Sequence, residues 1–201
     1  MSYKWDAFLS YRRADDWPRF VDGIFLPMLR RELSDALGGQ AKIFHDMRIE
    51  VGAEWPQELG LALATSKILI CLWSRQYFSS DWCKAELSQM LARREAIGGI
   101  PLPPLVISAV IHDGDHIPEE LGSIQRLDIH LYASPDLAEH SPRREELSFC
   151  VRDLAEHAAK SIEKAPPFDA AWTRLSVDTF DALFATKRGQ FMVPSLGGNA
   201  A

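Results

Sequence analysis

The chain has 201 residues, enough for one well-buried domain with a short appendage, and its 47% hydrophobic and 25% charged content is that of an ordinary globular protein. Twenty-two basic against 28 acidic residues give a net charge of −6, which argues against a nucleic-acid partner or an anionic membrane surface. Three scattered cysteines, Cys71, Cys83 and Cys150, have neither disulfide-framework nor zinc-ligand spacing. The polar start Ser2-Tyr3-Lys4 lacks a secretory pattern, and the apolar stretches near 68–73 and 100–111 are too short or too proline-broken to span a bilayer. The expectation is a soluble, cytoplasmic protein.

Trp5–Tyr11 reads as a short strand ending in the polar turn Arg12–Asp16. Over 17–37, Phe20, Ile24, Leu29, Leu33 and Leu37 keep helical spacing, and Pro27 should kink or divide that helix before Gly38-Gly39 ends it. Ala41–His45 is a second strand, followed by a charged loop, Asp46–Ala53, in which Gly52 supplies an unusual backbone conformation. Glu54–Thr65 is predicted helical, with Pro56 in its first turn.

Ile68–Trp73 is almost wholly apolar, as in a strand covered on both faces. A hydroxyl-rich loop, 74–80, leads to a helix over 82–97 capped by Asp81 and closed by Gly98-Gly99. Leu102–Ile111 and Ile124–Tyr132 read as the fourth strand and an edge strand, and Glu145–Glu163 as a docking helix. Strands alternating with helices predict an α/β fold of flavodoxin-like type: a doubly wound, mostly parallel five-stranded sheet with helices on both faces. Pro166-Pro167 closes that unit. Phe168–Phe184 is amphipathic and should pack back or meet a partner, and the last ten residues should be loose.

The densest chemical signal is S-R-Q-Y-F-S-S-D-W-C-K-A-E, Ser74–Glu86. It places Tyr77, Trp82 and Glu86 beyond the carboxyl end of a strand, where open α/β sheets bind ligands. A lone acid beside flat aromatic surfaces suits a small ligand with a ring and a sugar. On a helical wheel Cys83, Leu87, Met90 and Leu91 form the buried face, with Trp82 and Glu86 on its rim. Free N–H groups at a helix start favour a carboxylate there. An ordinary acid early in a helix would look the same, and these residues alone leave both readings open.

Other constellations are thin. His45, His112, His116, His130, His140 and His157 have no metal-ligand spacing, so no metal is expected. There is no G-x-S-x-G nucleophile turn and no G-x-G-x-x-G phosphate turn. A phosphoacceptor domain would want clustered acids at strand ends, whereas Asp6 begins its strand and the third strand ends in Trp73-Ser74.

Three segments together resemble a known family. D-A-F-L-S-Y-R-R (6–13) looks like the first box of Toll/interleukin-1 receptor (TIR) domains. I-F-H-D-M-R-I-E-V-G-A-E-W (43–55) is similar to their second strand and following loop, and 63–87 to their third strand and W-C-x-x-E-L helix. The resemblance covers residues 3–163, the expected TIR domain, and leaves 164–201 as a partly helical appendage with a loose end. Members with this W-C-x-x-E-L pattern, including the bacterial-type group, are NAD-cleaving enzymes.

The resemblance therefore implies an NAD+ glycohydrolase or ADP-ribosyl cyclase acting in immune or antiviral (anti-phage) defence, with NAD+ as substrate and no cofactor. Glu86 is the implied catalytic residue. Phe8, Tyr11, Arg12, Asp46, Ser74, Tyr77 and Trp82 are the implied ligand-binding positions, Arg12 suiting a pyrophosphate. Asp46 and Gly52 lie in the loop that, in TIR domains, gates the site and mediates assembly. Implied partners are other TIR domains by self-association and a separate sensor or effector. The alternative is a non-catalytic TIR adaptor, a class that usually lacks the glutamate.

Overall fold

The computed structural model describes residues 2–45, 55–97 and 104–189; side chains at 55–56 and 183–189 are not described. Five strands, β1 (Trp5–Tyr11), β2 (Ile43–His45), β3 (Ser66–Trp73), β4 (Val106–Val110) and β5 (Arg126–Asp128), form one parallel sheet in the order β2-β1-β3-β4-β5. This is the flavodoxin-like strand order, with its reversal of direction at β1/β3. The α-helices among the described residues are α1 (Trp17–Phe20), α2 (Leu26–Leu37), α3 (Trp55–Ala64), α4 (Arg75–Ser79), α5 (Asp81–Ile97), α6 (Pro142–Glu163) and α7 (Ala171–Gly189). Among the described residues no helix is long and apolar enough to cross a membrane.

Strand alternation divides the core in two. Ala7, Leu9 and Tyr11 of β1, with Ile68, Ile70 and Leu72 of β3, face the layer containing α2 and α6. Phe8 of β1, with Leu69, Cys71 and Trp73 of β3, faces the layer built by α3, α5 and α7, where Phe180 is fully buried. Both strands are central, and both faces are apolar, as a parallel sheet between helical layers requires.

The structure divides the predicted 17–37 helix before Pro27. Val21–Phe25 is a π-helical turn, in which the Leu26 N–H reaches back five residues to the Val21 carbonyl. Pro27 has no N–H to offer the Gly23 carbonyl and its ring crowds the preceding turn, so the strain is absorbed upstream by widening the helix. Gly38 then ends α2 in the left-handed region, φ 64°, with the N–H groups of Gly38 and Gly39 returning to Asp35 and Ser34.

Three further expectations change. Residues 75–79 form a short helix, with the Ser74 hydroxyl accepting from the Tyr77 N–H at 3.2 Å. Ser80, rather than Asp81, caps α5 by accepting the Cys83 N–H at 3.4 Å, and Asp81 pairs with Lys84 at 3.0 Å. β5 stops at Asp128 because its carboxylate takes the His130 N–H at 3.1 Å and starts a turn, continued by the Tyr132 and Ala133 N–H groups on the Ile129 carbonyl. The expectations for Asp46–Ala53, Gly98-Gly99 and the last ten residues lie outside the described residues.

Candidate active site

A cleft of about 150 Å³ opens at the carboxyl end of β1. Among the described residues it is lined by Phe8, Leu9, Ser10, Tyr11, Arg12 and Arg13 at the end of β1, Leu59 of α3, and Ser80, Trp82, Cys83 and Glu86 around the start of α5. A space of this order takes one small ring. Its position beside the β1/β3 reversal is where ligands of such sheets bind. A larger cavity, about 230 Å³, lies at the amino-terminal side of β4 and β5, lined in part by Arg94, Arg126, Asp153 and His157. Those four side chains are exposed, so the smaller cleft, which holds a buried acid, is the better candidate for chemistry.

Glu86 is the centre of that cleft. Only 7% of it is exposed, deeper than the helical wheel suggests, because its turn of α5 lies against the end of β1. The Ser10 hydroxyl donates to Glu86 Oε2, and Ser10 Oγ lies 2.9 Å from the Tyr77 hydroxyl. Since Ser10 spends its proton on the carboxylate, it accepts from Tyr77, whose oxygen also lies 3.4 Å from Cys71 Sγ and 3.2 Å from the Cys83 carbonyl. The chain Tyr77–Ser10–Glu86 thus fixes the carboxylate from behind.

The surrounding groups stay neutral. Burial, with the Glu86 charge beside it, pushes the Cys83 thiol up to about 12. Burial likewise raises Cys71 and the Tyr77 phenol, both also facing Glu86. A thiol held this far from its thiolate is a poor nucleophile and a poor metal ligand. Among the described residues no cluster of His, Cys, Asp or Glu has the arrangement of a metal site. What the cleft offers is a positioned carboxylate, an aromatic wall from Phe8 and Trp82, and two exposed guanidiniums, Arg12 and Arg13, at the mouth.

Of the sequence-predicted site residues, Glu86, Phe8, Tyr11, Arg12 and Trp82 meet in this one cleft. Tyr77 does not line it: the side chain is fully buried behind Ser10 and acts by positioning. Ser74, 4% exposed, caps α4 and stands outside the lining. Asp46 lies outside the described residues. Ser10, Arg13 and Leu59 were not anticipated. Alternation along β1 puts Ser10 on the same face as Phe8, and a hydroxyl in an otherwise apolar strand is the signal that would have found it.

The model of the TIR domain family matches residues 8–141, two-thirds of the chain, and the protein belongs to that family. It is similar to the probable disease resistance protein RPP1 of Arabidopsis thaliana, 35% identical over 99 residues. That match takes in 49% of this chain but 8% of the plant protein, so the chain spans a small part of that relative. Among solved structures it matches the TIR domains in the activated Roq1 resistosome that directly recognises the pathogen effector XopQ. The TM-score is 0.41 at 16% identity, covering 92% of this chain and 99% of the other.

Proposed function

We propose that this TIR domain cleaves the bond between nicotinamide and ribose in NAD+, with Glu86 as the catalytic carboxylate. The observation that carries the proposal is a buried acid, held from behind by Ser10 and lining a cleft the size of one ring. The nicotinamide nitrogen is cationic in the substrate. When its bond to the ribose C1′ breaks, the electron pair stays on that nitrogen and a neutral base departs, so no general acid is required. Positive charge then spreads over C1′ and the ribose ring oxygen. A fixed carboxylate in a partly dry cleft stabilises that charge more than it stabilises the substrate.

Phe8 and Trp82 supply flat surfaces for the ring and ribose, and Arg12 with Arg13 suits the pyrophosphate leading out of the cleft. Water adding at C1′ and losing its proton gives ADP-ribose. A nucleophilic group of the same ADP-ribose, adding in its place, gives a cyclic product. NAD+ is a substrate here and no cofactor takes part. The setting we infer is immune or antiviral defence signalling in the cytoplasm, with self-association of TIR units bringing the site to full activity and a separate protein acting as sensor or effector.

Purified protein incubated with NAD+ tests this, with nicotinamide and ADP-ribose products separated by chromatography and the Glu86→Gln variant beside it. The expected result is nicotinamide release that rises per subunit with protein concentration and is lost in a variant whose circular dichroism is unchanged. Parental turnover by Glu86→Gln would overturn the role of Glu86, and a parental protein that releases no nicotinamide at any concentration would leave the adaptor reading.

A further inference from the structure

Helix α7 (Ala171–Gly189) lies beyond the family-matched residues 8–141, yet its Phe180 packs against Trp82 of the cleft lining. Phe180 is fully buried, and its ring stacks on Trp82 with centroids 5.8 Å apart and planes 3° from parallel. Trp82 is half-buried: one face rests on Phe180 while the side chain lines the cleft with Glu86. A tryptophan at the mouth of a cleft is free to swing unless something holds its plane, and a parallel ring behind it does so.

The rest of α7 is fastened to the two helices that carry cleft residues. Gly60 follows Leu59 on α3, and a Cβ at Gly60 would come 2.9 Å from Val177 Cα and 3.0 Å from the Ser176 carbonyl carbon and oxygen. The α3 and α7 backbones therefore meet through a notch that only glycine leaves open. On the α5 side, Gln89 Nε2 donates to Thr179 Oγ1 at 2.8 Å. The buried Arg93 guanidinium lies 3.8 Å from the Trp172 ring centroid and donates to the Ser66 carbonyl at 2.8 Å. Tyr3 donates to the Pro166 carbonyl at 2.8 Å, tying down the segment that leads into α7.

We infer that α7 is a positioning strap for the cleft, with Phe180 as the positioning residue that fixes the plane of Trp82 against the ligand's ring. Leu59 and Trp82 are set by helices that α7 clamps together. A displacement of α7 therefore changes ring binding without touching Glu86. The ligand in this inference rests on the NAD+ reading above, whereas the strap itself rests on geometry.

Two measurements separate those layers. The 1H–15N heteronuclear NOE of the Trp82 indole N–H, assigned by its disappearance in Trp82→Phe, reports how firmly the ring is held. It is expected to fall in Phe180→Leu, which keeps apolar volume. It should also fall in Gly60→Ala, which keeps Phe180 but forces α7 away from α3. The Trp17 signal, on the other face of the sheet, should not change. An unchanged Trp82 value in both variants overturns the strap.

With NAD+, Phe180→Leu should raise KM about three- to tenfold, the worth of one aromatic pair, with kcat within about twofold. The same substitution should add nothing in a Trp82→Leu background. A KM penalty that persists there overturns action through Trp82. A parental protein that neither cleaves nor binds NAD+ defeats the proposed function alone, and the indole measurement still decides the strap.

Discussion

Two glutamates, one on each side of the sheet, are equally buried at 7% exposure and sit in different surroundings. Glu32 on α2 is gripped by Arg31 at 2.7 Å and by Arg152 of α6 at 3.1 Å. Burial alone would raise its pKa, but hydrogen bonds from Arg31 and Arg152 and their charge more than offset that, and it sits below its ordinary 4.5. Glu86 on α5 accepts the Ser10 hydroxyl, and raises the pKa of the thiols around it. A carboxylate neutralised by two cations is a fastener between helices. One that is oriented by a hydroxyl and lines a cleft stands where its field reaches whatever enters.

Exchanging each acid for its amide should split activity from stability. Glu86→Gln is expected to cost about 100- to 1,000-fold in NAD+ turnover, the range for removing one electrostatic stabiliser of a transition state, with little change in melting temperature. Steady-state nicotinamide release checks it. Ser10→Ala comes next: it removes one hydrogen bond that orients the carboxylate and should lower kcat about tenfold with KM nearly unchanged. A rise in KM with full kcat would show that Ser10 contacts ligand and does not act through Glu86.

Glu32→Gln should leave turnover alone and cost about 1–2 kcal/mol of stability at pH 7, seen as a melting temperature lower by about 2–8 °C. The sign of its pH dependence is fixed. Because the folded pKa is depressed, the parental contribution is complete above about pH 4.5 and is lost as pH falls through the folded value. The gap in melting temperature between parent and variant should therefore close in acid. The smallest effect concerns the thiols. At pH 8, iodoacetamide followed by peptide mass mapping should mark Cys150, which is partly exposed, well before Cys71 or Cys83.

Much of this arrangement was legible in the sequence because its signals are local. The apolar run at 68–73 and the alternation at 5–11 announce central strands, and helical spacing between them dictates a layered sheet. The switch-point rule then places Phe8, Arg12, Trp82 and Glu86 at one end. What stayed hidden was set by partners far away in sequence. A five-residue helix such as α4 is too short to show a period. The wheel of α5 gave the direction of Glu86 but not the strand end that buries it. Tyr77 read as a surface for ligand because nothing nearby revealed that Ser10 stands in front of it. No spacing rule connects Trp82 with Phe180.

The seam at Gly60 has a consequence for how the protein is made. A chain emerging residue by residue from a ribosome can assemble its sheet once β4 and β5 are out, while the bare flank of α3 and α5 waits for the last helix. During that interval the Trp82 ring and the notch at Gly60 are open to any other nascent or unfolded chain. Synthesis of residues 171–189 is thus the step that covers this flank, and slow or interrupted translation near that point should raise its dependence on chaperones.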